Sequence, residues 1–270
     1  LRTPQERGEY PMTANNRLEV KSKTIETVYR EYINKQYSVN RRYQRKLVWT
    51  IGEKQRLVDS ILRKYPLPQF LVAKTDAERD SYEIIDGMQR LNAIIGFIEN
   101  DFSTTDGEYF DLAATATTKD LLDAGVLTQK APILPRDKSV IVATYEIAQS
   151  VYSASDKSSI EEVFRRINST GQKLSQQDLR QAGSTSPIAD LRNISAKIRG
   201  DKSPDDTLPL ADMKLFSIST SNTDKYGINA DDIFWVQRRI LDRSTVRSSS
   251  DEQLVLDIVS NMLFDPVLST

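Results

Sequence analysis

The chain has 270 residues, 39% of them hydrophobic and 28% charged, which is enough to bury a core in one large domain or two small ones. It contains no cysteine and no histidine, which excludes disulfides, thiolate or imidazole metal sites, cysteine nucleophiles and a histidine general base. Its net charge of -1 conceals an asymmetry: residues 17–64 hold 13 basic against 5 acidic side chains, whereas residues 75–125 hold 3 against 12. This asymmetry fits either a basic face for a polyanion or two halves that pack against each other.

The first half of the chain predicts a small α/β unit. Thr50 and Glu53 have the spacing of a helix capping box, and an apolar stripe follows them. Farther on, a predicted strand leads directly into Asp86 and Gly87, after which apolar residues recur at helical spacing. The predicted elements are a helix over 53–64, strands over 69–74 and 81–85, a helix over 88–100 and a short helix over 119–123.

The second half of the chain predicts mainly helices. An alternating pattern predicts one more strand over 139–147, and Ser158 with Glu161 has the spacing of a second capping box. A turn is expected over 168–172. Further helices are predicted over 188–198, 231–243 and 252–263. We therefore expect an α+β fold, with a mixed α/β domain over residues 1–150 and a helical subdomain over residues 151–270.

The segment YEIIDGMQRLNAI, residues 82–94, carries the side chains best suited to chemistry. A glycine between a strand and a helix lets the backbone approach a ligand, and the helix N-terminus offers unpaired N–H groups that suit phosphate. Arg90 can add a bidentate phosphate contact, Asp86 can hold Mg2+ or orient a water, and Gln89 offers a neutral donor and acceptor. An ordinary tight turn, with Asp86 as a cap and Arg90 in solvent, explains the same pattern.

Two other segments could bind ligands. In VNRRYQRKLVW, residues 39–49, clustered cations and aromatic rings suit phosphates and bases, although a solvated charge run beside a core tryptophan is the alternative. In VFRRINSTGQKLSQQDL, residues 163–179, the amide of Asn168 lies in the predicted turn and could bind a ligand or simply hold a helix corner. The cations and ring of the first segment that we expect to contact DNA are Arg41, Arg42, Tyr43 and Lys46.

Together the blocks YQRKLVW, DGMQR and RINSTGQKLS resemble the N-terminal domain family of GmrSD-type modification-dependent restriction enzymes. Members of that family carry a YQR block followed by tryptophan, then D-G-Q-Q-R after a strand, then R-[IL]-N-x-[GT]-G-x-x-L-S. The likeness covers about residues 25–185 and includes the intervening DSIL and P-x-P stretch. The chain departs from the family pattern at Met88, which replaces the first glutamine, and the apolar stripe of the following helix predicts that Met88 faces the core.

The resemblance implies a ParB/sulfiredoxin-like core with a small mixed sheet, followed by helices, that binds an NTP with Mg2+ and in characterised relatives hydrolyses it. It places Asp86 and Arg90 in catalytic roles, with Asp86 also as the metal ligand. The sulfiredoxin reaction is excluded, because this chain has no cysteine. The residues expected to bind the nucleotide are Gly87, Gln89, Arg90, Gln44, Arg45 and Asn168.

The resemblance favours a nucleotide-binding sensor module of a restriction or anti-phage defence system, which couples an NTP to engagement of modified DNA or of a nuclease. Many relatives end in an HNH nuclease, and a chain without histidine cannot supply that metal site, so we expect the nuclease in another domain or subunit. One alternative is a non-catalytic module that recognises modified DNA through a degenerate nucleotide site. Another is a carboxylate-only nuclease, for which Asp86, Glu83 and Glu161 are the candidates.

Cellular location and assembly are less constrained by the sequence. No segment approaches the roughly 18 apolar residues that a membrane span requires, and the first residues do not form a signal peptide. We therefore expect a cytoplasmic protein that does not bind membranes. The sequence allows a homodimer but does not decide whether one forms, and it does not decide whether the NTP is hydrolysed.

Overall fold

A computed structural model describes residues 17–41, 44, 46–76, 80–153, 157–170, 186–201, 206–220, 226–248 and 251–264. The strands are β1 (Arg17–Thr24), β2 (Tyr37–Asn40), β3 (Phe70–Asp76), β4 (Ser81–Asp86), β5 (Glu146–Ser153), β6 (Thr207–Pro209), β7 (Ile218–Ser219) and β8 (Ile228–Asn229). The helices are α1 (Ile25–Ile33), α2 (Ile51–Leu62), α3 (Met88–Ile98), α4 (Ala116–Asp123), α5 (Arg136–Thr144), α6 (Lys157–Thr170), α7 (Ser186–Ile198), α8 (Phe234–Gln237), α9 (Arg243–Arg247) and α10 (Asp251–Phe264).

A mixed sheet of six strands forms the centre of the fold, in the order β1-β5-β3-β4-β2-β6. Its neighbours alternate between antiparallel and parallel pairing, because β1 and β5, β3 and β4, and β2 and β6 run antiparallel while the remaining pairs run parallel. The predicted α+β class with a small mixed sheet is therefore confirmed.

Apolar residues cover both faces of this sheet. On one face Val72, Ile84 and Val151 join the main core with α1, α2 and α3. On the other face a smaller cluster packs Ile85 against Phe164 of α6. Strand β4 is thus buried on both sides, which fixes the position of the turn that follows it.

The helices of the first half follow their local sequence signals closely. Thr50 accepts a hydrogen bond from the backbone of Glu53, and Glu53 bonds back to the backbone of Thr50, so the predicted capping box begins α2. The predicted strands and helices around β3, β4 and α3 are confirmed to within two residues. Strand β1, helix α1 and strand β2 were not predicted from the sequence.

Three predictions about the later elements were wrong. Residues 136–144 form α5 rather than a strand, because Ser139, Val142 and Ala143 are buried at helical spacing, and the strand follows as β5. The predicted turn over 168–172 begins too early, since α6 continues to Thr170. The helix predicted over 231–243 breaks into α8 and α9, with Arg239 in the left-handed region at φ 56° between them.

Strand β5 spans the position near residue 150 where a domain boundary is predicted. That residue lies inside β5, which pairs with both β1 and β3. Strand β6 returns to the sheet beside β2, and Leu208, Leu210 and Met213 join the main core. Residues of the second half therefore complete the sheet and core of the first. No helix in the described part of the chain is long and apolar enough to cross a bilayer.

Candidate functional site

The turn after β4 has the backbone that its sequence predicts. Gly87 adopts a φ of 99°, in the left-handed region, and α3 begins immediately after it. A Cβ atom built on Gly87 would lie 2.5 Å from Cδ1 of Phe70, which is buried at the start of β3. Both the backbone angle and the aromatic neighbour therefore require glycine at this position.

Arg90 is held against the base of this turn and does not extend into solvent. Its Nη2 donates to Oδ2 of Asp86 at 2.9 Å and to the carbonyl of Gln69 at 3.3 Å, and its Nη1 donates to the carbonyl of Pro68. The guanidinium also lies 4.7 Å from the ring centre of Phe70. Burial lowers the pKa of Arg90 and the Asp86 carboxylate opposes that shift. These bonds occupy three of the five N–H groups, so two remain without a partner among the described residues.

The N-terminus of α3 lacks a side-chain cap. No side chain in the described part of the chain bonds to its first N–H groups, and the first intrahelical bond runs from Leu91 to the carbonyl of Gly87. The carboxylate of Asp86 stands beside this end of the helix with 49% of its side chain exposed. Met88 is only 3% exposed and belongs to the main core, as its place in the apolar stripe predicts.

Two glutamines join residues 39–49, called the basic segment below, to this turn. The side chain of Gln44 donates to the carbonyls of Ile84 at 3.1 Å and Ile85 at 2.7 Å, at the end of β4. The amide of Gln89 accepts from the backbone of Val48 at 3.0 Å and donates to the carbonyl of Lys46 at 2.8 Å. The structure therefore brings the YQR block and the DGMQR block together, and the amides of Gln44 and Gln89 form hydrogen bonds between them.

The second half of the chain holds the other side of the same segment. Leu47 donates its N–H to Oγ of Ser217 at 3.0 Å. Arg247, which is 8% exposed on α9, donates to the carbonyl of Trp49 at 2.9 Å. Sequence reasoning missed Ser217 and Arg247 because neither lies in a recognisable motif and their partners are about 170 and 198 residues away.

The basic segment is less exposed than its sequence suggests. Arg41 forms an ion pair with the fully buried carboxylate of Asp201, and its guanidinium lies 5.0 Å from the ring centre of Phe216. Lys46 is 8% exposed, and its Nζ has no hydrogen-bond partner in the part of the chain that the structure describes. Arg41 is therefore half-buried in an ion pair and Lys46 is buried, while their predicted contact with DNA stays a prediction.

The remaining predicted ligand-binding residues cannot be placed. Arg42, Tyr43, Arg45 and the side chain of Asn168 lie outside the described residues.

The carboxylates near the turn do not form a metal cluster. Within the described ranges no group of three or more acidic side chains is close enough to hold a metal ion. Glu83 is buried on β4 and Glu161 lies on α6. A single carboxylate at Asp86 suits a Mg2+ ion that takes its other ligands from water and from phosphate oxygens.

Replacing Gly87 with alanine is expected to lower the free energy of unfolding by about 2 kcal/mol, from backbone strain and collision with Phe70. Gly107 provides the matched control, because its φ is 86° and an added Cβ meets nothing within 4 Å. Urea unfolding of Gly87→Ala and Gly107→Ala separates the two contributions. Equal losses in the two variants would show that the ring of Phe70 moves aside freely.

Comparison with known proteins identifies one family. A family model described as the N-terminal domain of the GmrSD restriction endonuclease matches residues 25–183. These residues include β2, the basic segment, the turn and α6. No curated protein matches the chain.

Proposed function

This chain belongs to the family of GmrSD restriction endonuclease N-terminal domains, and from that membership we propose that it is the nucleotide-binding module of a DNA restriction system. The nucleotide phosphates bind at the turn formed by Asp86, Gly87 and Arg90. DNA and a nuclease domain or subunit are the partners of this module. The chain has no histidine, so an HNH metal site belongs to the nuclease partner.

One observation carries the proposal: an uncapped helix N-terminus, a half-exposed carboxylate and an incompletely bonded arginine meet at a glycine turn. The N–H groups at the start of α3 favour an anion, because they have no intrahelical partners and share the positive end of the helix dipole. Arg90 has two N–H groups left for a phosphate. The ordinary-turn alternative places Arg90 in solvent, whereas its side chain is only 12% exposed and bonds to Asp86 beside the turn.

The residues of this chain have distinct tasks in the proposed site. Arg90 and the start of α3 neutralise phosphate charge, and Asp86 holds Mg2+ or orients a water molecule. Gln44 and Gln89 keep the basic segment against the turn through bonds to backbone groups. A bound NTP with Mg2+ supplies the phosphoryl group for hydrolysis.

The hydrogen bonds of Gln44 and Gln89 also indicate how a bound nucleotide affects the rest of the protein. Gln89 is the neighbour of Arg90 and holds the carbonyl of Lys46, while Arg247 of the second half holds the carbonyl of Trp49. A ligand that shifts the first turn of α3 therefore also displaces residues 46–49, which Arg247 contacts through the carbonyl of Trp49. This is our reason for treating the module as a sensor that couples the nucleotide to its partners.

The test measures NTP binding with Mg2+ and phosphate release for the full chain and for Arg90→Ala. Loss of a charge-assisted phosphate contact is expected to weaken binding about 10- to 100-fold. Asp86→Asn is expected to reduce the Mg2+-dependent part of the affinity and to slow phosphate release, while binding without metal persists.

Arg63→Ala is the matched control, since Arg63 is an exposed arginine that forms an ion pair with Asp59 on α2. Thermal melting of each variant establishes that the protein is folded before binding is measured. If Arg90→Ala is folded and binds and hydrolyses NTP like the wild type, the site assignment is wrong.

A further inference from the structure

Strand β1 lies at one edge of the six-stranded sheet. It pairs with β5 over all eight of its residues, and none of the described strands lies along its other side. In an antiparallel edge strand, every second residue directs its backbone N–H and C=O away from the sheet. The edge is therefore long enough to accept another strand.

The two faces of β1 carry different side chains. Leu18 and Val20 lie on the face that continues toward the α6 cluster, and they are 61% and 65% exposed. The opposite face carries the charged side chains Arg17, Glu19, Lys21 and Lys23. Exposed apolar residues on an unpaired edge indicate a pairing surface.

We propose that β1 pairs antiparallel with β1 of a second copy of this chain, about a two-fold axis at Val20. In this register Val20 faces Val20 of the second copy, and Leu18 faces Ser22. Glu19 and Lys21 form an ion pair at 3.3 Å within each chain. Across the axis each of them also faces its opposite charge in the second copy, so two further opposite-charge contacts form. The two sheets become one continuous sheet of twelve strands, twice the six of each chain.

The charges select this register over its neighbours. A register centred on Glu19 places two glutamates face to face, and one centred on Lys21 does the same with two lysines. At the ends of the Val20 register Arg17 faces Lys23, but Lys23 is already neutralised by Glu31 at 2.8 Å. The Val20 register is thus favourable at its centre and tolerable at its ends.

The other edge of the sheet explains why pairing stops at two copies. Strand β6 has only three residues, and it ends with Pro209, which has no N–H to donate. A β1-to-β6 contact would be short and would leave β1 largely unpaired. Pairing β1 with β1 uses up the long edge of both copies and closes the assembly.

Charge exchange tests the register in the full chain by sedimentation. Glu19→Lys places two lysines opposite each other on both sides of the axis, and Lys21→Glu does the same with two glutamates. Each single variant is expected to raise the dimer Kd about tenfold. The variant carrying both changes restores the opposite pairs, and its Kd is expected to return to within about threefold of the wild type.

Cysteine trapping gives a second readout, because the natural chain has no cysteine. Val20→Cys places two thiols beside the axis, and a short thiol cross-linker is expected to join them much faster than those of Leu18→Cys. Val126→Cys, 67% exposed on another surface, reports random collision. A wild-type chain that stays monomeric at its highest soluble concentration, or a Val20→Cys variant that cross-links no faster than both controls, would overturn the proposal.

Discussion

Replacing Lys46 with methionine is expected to raise the free energy of unfolding by about 3 to 5 kcal/mol at pH 7. Burial, and after it the guanidinium of Arg199, lower the pKa of Lys46 from 10.5 to about 7, while Asp201, Asp251 and Glu252 oppose this shift. Each pKa unit corresponds to about 1.4 kcal/mol. Methionine fills similar space without an ammonium group that the fold must desolvate.

The gain from Lys46→Met depends on pH in a direction that follows from this shift. Between about pH 7 and pH 10.5 the unfolded chain holds a proton on Lys46 that the folded chain has released. The stability contributed by the wild-type lysine therefore rises with pH through this window, and the advantage of the variant shrinks toward zero. Urea unfolding at pH 7 and pH 10 measures the difference between the two proteins.

Lys138→Met provides the control for Lys46→Met, since Lys138 is an exposed lysine on α5. Its effect on unfolding is expected to stay within about 0.5 kcal/mol at both pH values. A gain for Lys46→Met that is equally large at pH 7 and pH 10 would contradict the account, because it would then come from packing and not from the buried amine.

Replacing Arg199 with methionine is expected to lower the free energy of unfolding by about 4 kcal/mol. Nη1 of Arg199 donates to both carboxylate oxygens of Asp251 at 3.0 and 3.1 Å, and Nη2 donates to Glu252 at 2.9 Å. The side chain of Asp251 has no solvent exposure. Removing the cation therefore leaves a buried carboxylate without its main partner.

The loss from Arg199→Met is expected to be smaller at pH 5 than at pH 8. Burial already raises the pKa of Asp251 above 3.8, and Arg199 opposes that shift. Without Arg199 the pKa rises further, so the folded variant keeps a proton that the unfolded chain loses above about pH 4. Stability of the variant then falls as the pH rises through this range. Unfolding at the two pH values measures this slope.

A double variant isolates the charge effect. Arg199→Met combined with Asp251→Asn removes both charges, and it is expected to recover at least half of the lost stability at pH 8. If the double variant is as unstable as Arg199→Met, packing around Arg199 and not the unpaired carboxylate causes the loss.

The sequence predicted the local chemistry of the turn well. A capping box depends on residues three apart, and the glycine turn depends on one strand and one helix that are adjacent in the chain. Met88 also followed its helical stripe into the core. Strand β1 was not predicted although charged and apolar residues alternate along it, and its pairing with β5 shows it to be a strand.

Residues far apart in the chain decided the rest. Residues 136–144 hold several β-branched side chains, yet they form α5 because that helix packs against α1 and α2. From the sequence, a cation such as Arg41 is expected at the surface. In the structure it pairs with the buried carboxylate of Asp201, 160 residues later in the chain. Local propensity carries no information about such partners.

By itself, then, the sequence determined the family, the α+β class and the strand-turn-helix that presents Asp86 and Arg90. Each of these depends on residues that lie close together in the chain, so the pattern is visible in the sequence itself. Only the tertiary structure decided that Gln44 and Gln89 clamp two blocks together, that Lys46 is buried beside Arg199, and that the second half completes the sheet. Desolvation and long-range hydrogen bonding depend on the folded surroundings of a side chain, so its identity alone does not reveal them.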